Sequence, residues 1–270
     1  MQILHFLLSF PLFFTLKEVM QVKYALVLAL LLVGVTHAQD VLIPLPDSTR
    51  QQIVYPGFTL QYNEQHEQAD WVAYRLDSLE LIPVVKRQDR FKSDPNVITG
   101  SASLSDYKSS GYDRGHLAPA ADMRFSEETM LQSFFMSNMS PQLPEFNRGI
   151  WKKLEETVRD FAKENLELYI VTGPVLRVGL TTIGENEVSV PELYYKALCE
   201  LTPPEIKMIA FLLPNQGSTA ELQTFSISVD SLEKITGLDF FYILPDRLEE
   251  SLESECNPEM WFDIYQKDRK

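Results

Sequence analysis

The chain has 270 residues, 45% hydrophobic and 11% aromatic, enough to bury the core of one large globular domain or two small ones. Its formal net charge of −14 excludes a tight, non-specific nucleic-acid binder, which needs a broadly basic surface. The charge is uneven, however: residues 86–153 carry 10 Lys and Arg against 8 Asp and Glu, a local cationic stretch on an acidic body.

The N-terminus reads as a segment outside the fold. An apolar run over residues 3–16 is broken by Pro11, and a second start-like pattern follows, with Met20, Lys23 and an apolar run over 24–35. It ends in Thr36-His37-Ala38-Gln39, the small-residue pattern of a secretory cleavage site. Residues 1–38 are therefore expected to be a signal peptide, with Met20 as an alternative start and a membrane anchor as the alternative function. The second run is short for a bilayer span. Two histidines then remain, His66 and His116, and two cysteines, Cys199 and Cys256. An even pair in an exported chain suggests one disulfide, with two buried thiols as the alternative.

Residues 39–54 are polar and proline-punctuated, a lead-in to the domain. Strands are expected at 59–63, 71–76 and 79–85 from their apolar alternation. His66 lies in a polar cluster between them and reads as a solvated turn. Residues 86–95 form a loop with four cations in seven positions, Lys86, Arg87, Arg90 and Lys92. The stretch Tyr112-Asp113-Arg114-Gly115-His116 follows. In an extended segment Arg114 and His116 point to the same side, and Gly115 leaves room for a tight turn or a close approach. A fixed cation beside a titratable imidazole suits phosphate binding with proton transfer.

Ser126 followed by Glu127 and Glu128 opens a short helix to about Phe134. Residues 137–142 read as a turn. A longer helix is expected over 146–163, with Ile150, Leu154, Val158 and Phe161 on its buried face. Asn147, Trp151 and Glu155 line another face at i, i+4 and i+8, a stripe that otherwise reads as solvated. Strands are expected at 168–174, 194–199, 207–213 and 226–229. A helix then starts at Ser231 and stops at Gly237. Residues 249–270 read as an acidic surface helix or tail. Strands with helices between them predict an α+β fold with a central, largely antiparallel sheet flanked by helices.

Three blocks now become recognisable: Asp113-Arg114-Gly115-His116, Ser137-Asn138-x-x-Pro141-Gln142, and Asn147-Arg148-Gly149-x-Trp151-x-x-Leu154-Glu155. With Arg90-Phe91-x-x-Asp94-Pro95 upstream and Val171-Thr172-Gly173-Pro174 and Thr236-Gly237-Leu238-Asp239-Phe240 downstream, they resemble the DNA/RNA non-specific endonuclease family, over about residues 55–248. That resemblance implies a ββα-metal active-site motif and hydrolysis of DNA and RNA phosphodiester bonds. It implies His116 as the general base and Asn147 as the protein ligand of one divalent ion, Mg²⁺ or Mn²⁺. It implies Glu155 as the holder of metal-bound water, and Arg114 and Asn138 as supports near phosphate and metal. An upstream arginine is implied to stabilise the phosphate, with Arg87 chosen and Arg90 the competitor. A homodimer is expected by analogy, and a secreted or periplasmic location from the signal. The rival readings are a non-catalytic nucleic-acid binder of the same fold and a phosphodiesterase for smaller substrates.

Overall fold

In the computed structural model, residues 42–203 and 206–262 are described. The expected signal peptide lies outside them. Seven strands form one antiparallel sheet in the order β1 (Gln51–Val54), β2 (Thr59–Asn63), β3 (Gln68–Asp77), β6 (Glu167–Pro174), β9 (Leu193–Glu200), β10 (Lys207–Pro214) and β11 (Ser226–Ile227). Two small pairs stand apart: β4 (Asp113–His116) with β5 (Met139–Gln142), and β7 (Thr182–Ile183) with β8 (Val188–Ser189). The helices are α1 (Leu104–Tyr107), α2 (Glu127–Gln132), α3 (Lys152–Asn165), α4 (Val229–Thr236), α5 (Asp246–Glu253) and α6 (Glu259–Phe262). The α+β architecture with an antiparallel sheet is as the sequence predicts.

One face of the sheet packs on α3. A cross-strand row runs Tyr74, Ile170, Leu198 and Ile209, each opposite the next in register. It shares a core with Leu154, Val158 and Phe161, the apolar face predicted for the helix. Lys196 is two residues from Leu198 and so enters the sheet on this same face. It is opposite Thr172 on β6. From the other end of the chain, α6 inserts Trp261 beside Phe161, ring centroids 5.3 Å apart. The C-terminal segment is thus part of the core at Trp261, rather than surface throughout.

Other expectations need correction. The lead-in supplies an edge strand, β1, paired with β2 through Gln51 and Tyr62. Residues 79–85 are not a strand: the Asp77 side chain accepts from Leu79 N at 2.7 Å and Glu80 accepts from Asp77 N, so the chain turns. Residues 139–142 are a strand, not a turn, because β4 offers them a partner. The long helix begins irregularly: Phe146–Trp151 is a wide π-type turn in which Gly149 leaves helical geometry. The disulfide is not formed. Cys199 is a buried residue within β9, whereas Cys256 is exposed beyond α5, and both are free.

Candidate active site

The loop of residues 86–95 is held at its base. Tyr55 Oη donates to the Asp94 carboxylate at 2.6 Å, and Ser137 Oγ donates to the same group. Lys92 O accepts from Met136 N at 2.9 Å. Phe91 is thereby laid against two neighbours: the Arg114 guanidinium stacks 4.1 Å from its centroid, and the His116 ring lies 5.7 Å away. Phe134 meets His116 edge-on at 4.9 Å and carries Arg87 over its face at 5.2 Å. The strand β4 therefore presents Arg114 and His116 to one side, as the i, i+2 spacing predicts.

Asn138 fixes the exit of β4. Its Oδ1 accepts from Ala118 N, and its Nδ2 donates to Ala118 O and Ser133 O, all at 2.9 Å. It is fully buried and braces the segment after His116 instead of lining a cleft.

Asn147 emerges from the π-type turn, which Phe146, Trp151 and Tyr194 pin through ring contacts of 5.3–5.8 Å. Its Nδ2 donates to Asp113 Oδ2 at 2.9 Å. Asp113 also accepts twice from Arg148, at 2.8 and 2.6 Å. With the amide nitrogen engaged, the carbonyl oxygen is left for another partner. Burial raises the Asp113 carboxyl, but the hydrogen bonds from Arg148 and Asn147 outweigh it and hold the group low.

These side chains share a cleft of about 460 Å³. Arg87, Arg114, His116, Asn147 and Glu155 line it together, as do Asp113 and Arg159. Arg90 does not line it. Burial, with the Arg87 and Arg114 cations, pushes the His116 imidazole down to about 3 against the pull of Asp89. Its Nε2 is buried without a hydrogen-bond partner. The imidazole is neutral at physiological pH, as a base must be.

Beneath Glu155 lies a charged layer that the sequence reading missed. Arg159, one turn along α3, donates to Asp122 at 2.9 Å, and Tyr74 Oη donates to the other Asp122 oxygen. Lys196 Nζ is buried with no hydrogen-bond acceptor, 5.0 Å from the Trp151 ring. Burial raises the Glu155 carboxyl; Lys196 is the largest charge opposing that rise, and Asp122 adds to it. A lone lysine in the apolar run Tyr194-Tyr195-Lys196-Ala197-Leu198 was the signal for this residue. For Arg159 it was the i+4 spacing from Glu155.

The chain has relatives among known proteins. The chain is 35% identical over 214 residues to "Nuclease EXOG, mitochondrial" of Danio rerio, covering 73% of this chain and 62% of that protein. It thus spans less than two thirds of that relative's length. It is 35% identical over 212 residues to "Nuclease" of Nostoc sp., covering 74% of this chain and 76% of that protein. A chain in the crystal structure of the EndoG/EndoGI complex superposes with a TM-score of 0.68 at 28% identity, covering 73% of this chain and 87% of that one. The DNA/RNA non-specific endonuclease profile matches residues 41–247, and with the β4–β5–α3 motif in place the chain belongs to that family.

Proposed function

We propose that the protein is a metal-dependent endonuclease that hydrolyses DNA and RNA with little sequence preference. The observation that carries this reading is the convergence of His116, Arg114, Arg87, Asn147 and Glu155 on one cleft. A hard divalent cation fits the donors present, which are oxygens: the carbonyl of Asn147, whose nitrogen is already spent on Asp113, and the carboxylate of Glu155 acting through water. When bound, Mg²⁺ or Mn²⁺ supplies charge stabilisation at the leaving oxygen.

The chain's own groups do the rest. Arg114, held flat by Phe91, and Arg87, over Phe134, face the negative charge of the phosphate. His116 takes a proton from the attacking water. In the free protein burial, and then the two arginines, depress its basicity; a bound phosphate offsets the arginine charge and so relieves that part of the depression. Contacts to phosphate, and not to bases, position the strand without reading it. Arg90 is left to longer-range attraction.

The apolar 1–38 segment has no arginine and ends in a small-residue cleavage pattern, which favours export to the periplasm or medium over a mitochondrial presequence. No helix among the described residues is long and apolar enough to cross a membrane. By family analogy the protein is a homodimer, a state that light scattering reads directly.

The test is cleavage of supercoiled plasmid and of RNA with added Mg²⁺ and with EDTA. Wild-type protein is expected to cut both and to stop in EDTA. His116→Ala is expected to lose at least about 10²-fold in rate. Cleavage undiminished by EDTA, or by the substitution, overturns the reading.

A further inference from the structure

Away from the cleft, α4 and α5 turn acidic faces towards each other. Asp230 and Glu233 are three apart on α4, and Glu249 and Glu253 are four apart on α5, so each pair shares a helix face. Asp230, Glu233 and Glu253 each bring one carboxylate oxygen within 4.8 Å of the other two. None of these four residues forms an ion pair with a described residue, and the neighbouring Lys234 is exposed.

A second observation concerns the innermost member. Glu253 is only 5% exposed, and its Oε1 is buried without a hydrogen-bond donor. Glu249 Oε1 is orphaned in the same way. A buried carboxylate aimed at two others, with nothing donating to it, is relieved in one of two ways: burial and the neighbouring carboxylates raise its pKa to about 8 so that it holds a proton, or a cation joins the cluster and displaces that proton. The donors are all oxygens, which selects a hard ion. Three carboxylates, with a fourth nearby, exceed the one or two that Mg²⁺ usually takes and suit the larger, more flexible oxygen shell of calcium.

We propose that Asp230, Glu233 and Glu253, with Glu249 at the margin, form a calcium-binding site that fastens α4 to α5, distinct from the catalytic cation. The chain running on from α5 carries α6, whose Trp261 packs against Phe161 of the catalytic helix α3. Calcium here would brace that helix from its distal end. The proposal leans on the exported reading only in that extracellular calcium is abundant enough for a weak site, of Kd about 10⁻⁴–10⁻³ M.

The test uses full-length protein carrying Asn147→Ala, which removes the catalytic metal ligand, so the readout needs no cleavage. After EDTA treatment and its removal, CaCl₂ is titrated by calorimetry and the thermal midpoint is followed. One calcium per chain should bind, and the midpoint should rise by several degrees. Adding Glu233→Gln and Glu253→Gln should abolish both effects while raising the calcium-free midpoint, because like charges are relieved; that rise shows the variant is folded. The proposal is overturned if calcium neither binds nor stabilises. It is equally overturned if the Gln variants bind calcium as before, or if acidification alone relieves the cluster and calcium adds nothing.

Discussion

His116 is a histidine kept neutral by its surroundings. Its ring is walled by Phe91 and Phe134, and its pKa is driven down to about 3, chiefly by burial and then by Arg87. In the unfolded chain the same group titrates near 6.5. The folded value is the lower one, so its contribution to stability is present above about pH 6.5 and lost as pH falls towards 3. Urea unfolding of wild type and His116→Gln should therefore diverge: between about pH 7 and about pH 4 the wild type should lose on the order of 3 kcal/mol more. Parallel curves would mean that the folded imidazole accepts a proton freely. Lys196 poses the opposite case, a buried cation without an acceptor. Lys196→Met keeps the length of the side chain and removes the charge that opposes the rise of Glu155. The variant is expected to be as stable as wild type or more so in urea. It should be less active at neutral pH, with the acid limb of its pH–rate profile displaced upward because Glu155 binds its proton more tightly. A stability loss with an unmoved limb would make Lys196 a packing residue only.

At the scale of elements, the site is a two-stranded ribbon followed by a helix, and Gly115 in that ribbon has a reason other than a sharp turn. A Cβ on Gly115 would lie 2.2 Å from Cδ of Gln142, which is fully buried on β5. Gly115→Ala should thus cost about 1–3 kcal/mol of stability and most of the activity, by forcing β4 from β5 and shifting His116. Gly115→Ala with Gln142→Ala should recover much of the loss, because the space is vacated; no recovery would mean that the backbone itself demands glycine. The same ribbon marks what the sequence could and could not show. Strong periodicity exposed β3, β6, β9, β10 and the buried face of α3. The strand β5 was hidden because residues 139–142 include a proline and a serine and become a strand only when β4 lies opposite. Asn138 was legible as a site residue, but its clamp on Ala118 depends on a return of the chain 20 residues later. The Asp113–Arg148 pair, 35 residues apart, is likewise a product of the tertiary fold. The two free cysteines show the limit of counting thiols: pairing depends on which face each one meets.

For the whole molecule, the opposition is between an acidic body and a cationic cleft. The chain carries −14, yet Arg87, Arg114, Arg148, Lys152 and Arg159 all line the cleft, against Asp113 and Glu155. Arg148 and Arg159 are committed to Asp113 and Asp122, whereas Arg87 and Lys152 make only exposed pairs with Asp89 and Glu156 that exchange readily, which leaves about two or three cations to meet phosphates. Salt then has two effects of opposite sign. It weakens each phosphate contact through counterion release, with a log–log slope of about −0.9 per contact, and it screens repulsion between nucleic acid and the body. Exposed charges farther than about 10 Å from the strand are largely screened at moderate salt, while contacts within the cleft are screened much less. Contact loss should therefore prevail, but gently. Raising KCl from about 50 to about 200 mM is expected to lower kcat/KM for plasmid about 12- to 40-fold, mainly through KM, with a slope between about −1.8 and −2.7. Arg87→Ala should flatten that slope by about one. A slope steeper than about −6 would require an extended basic track along the strand, and would refute binding through the cleft alone.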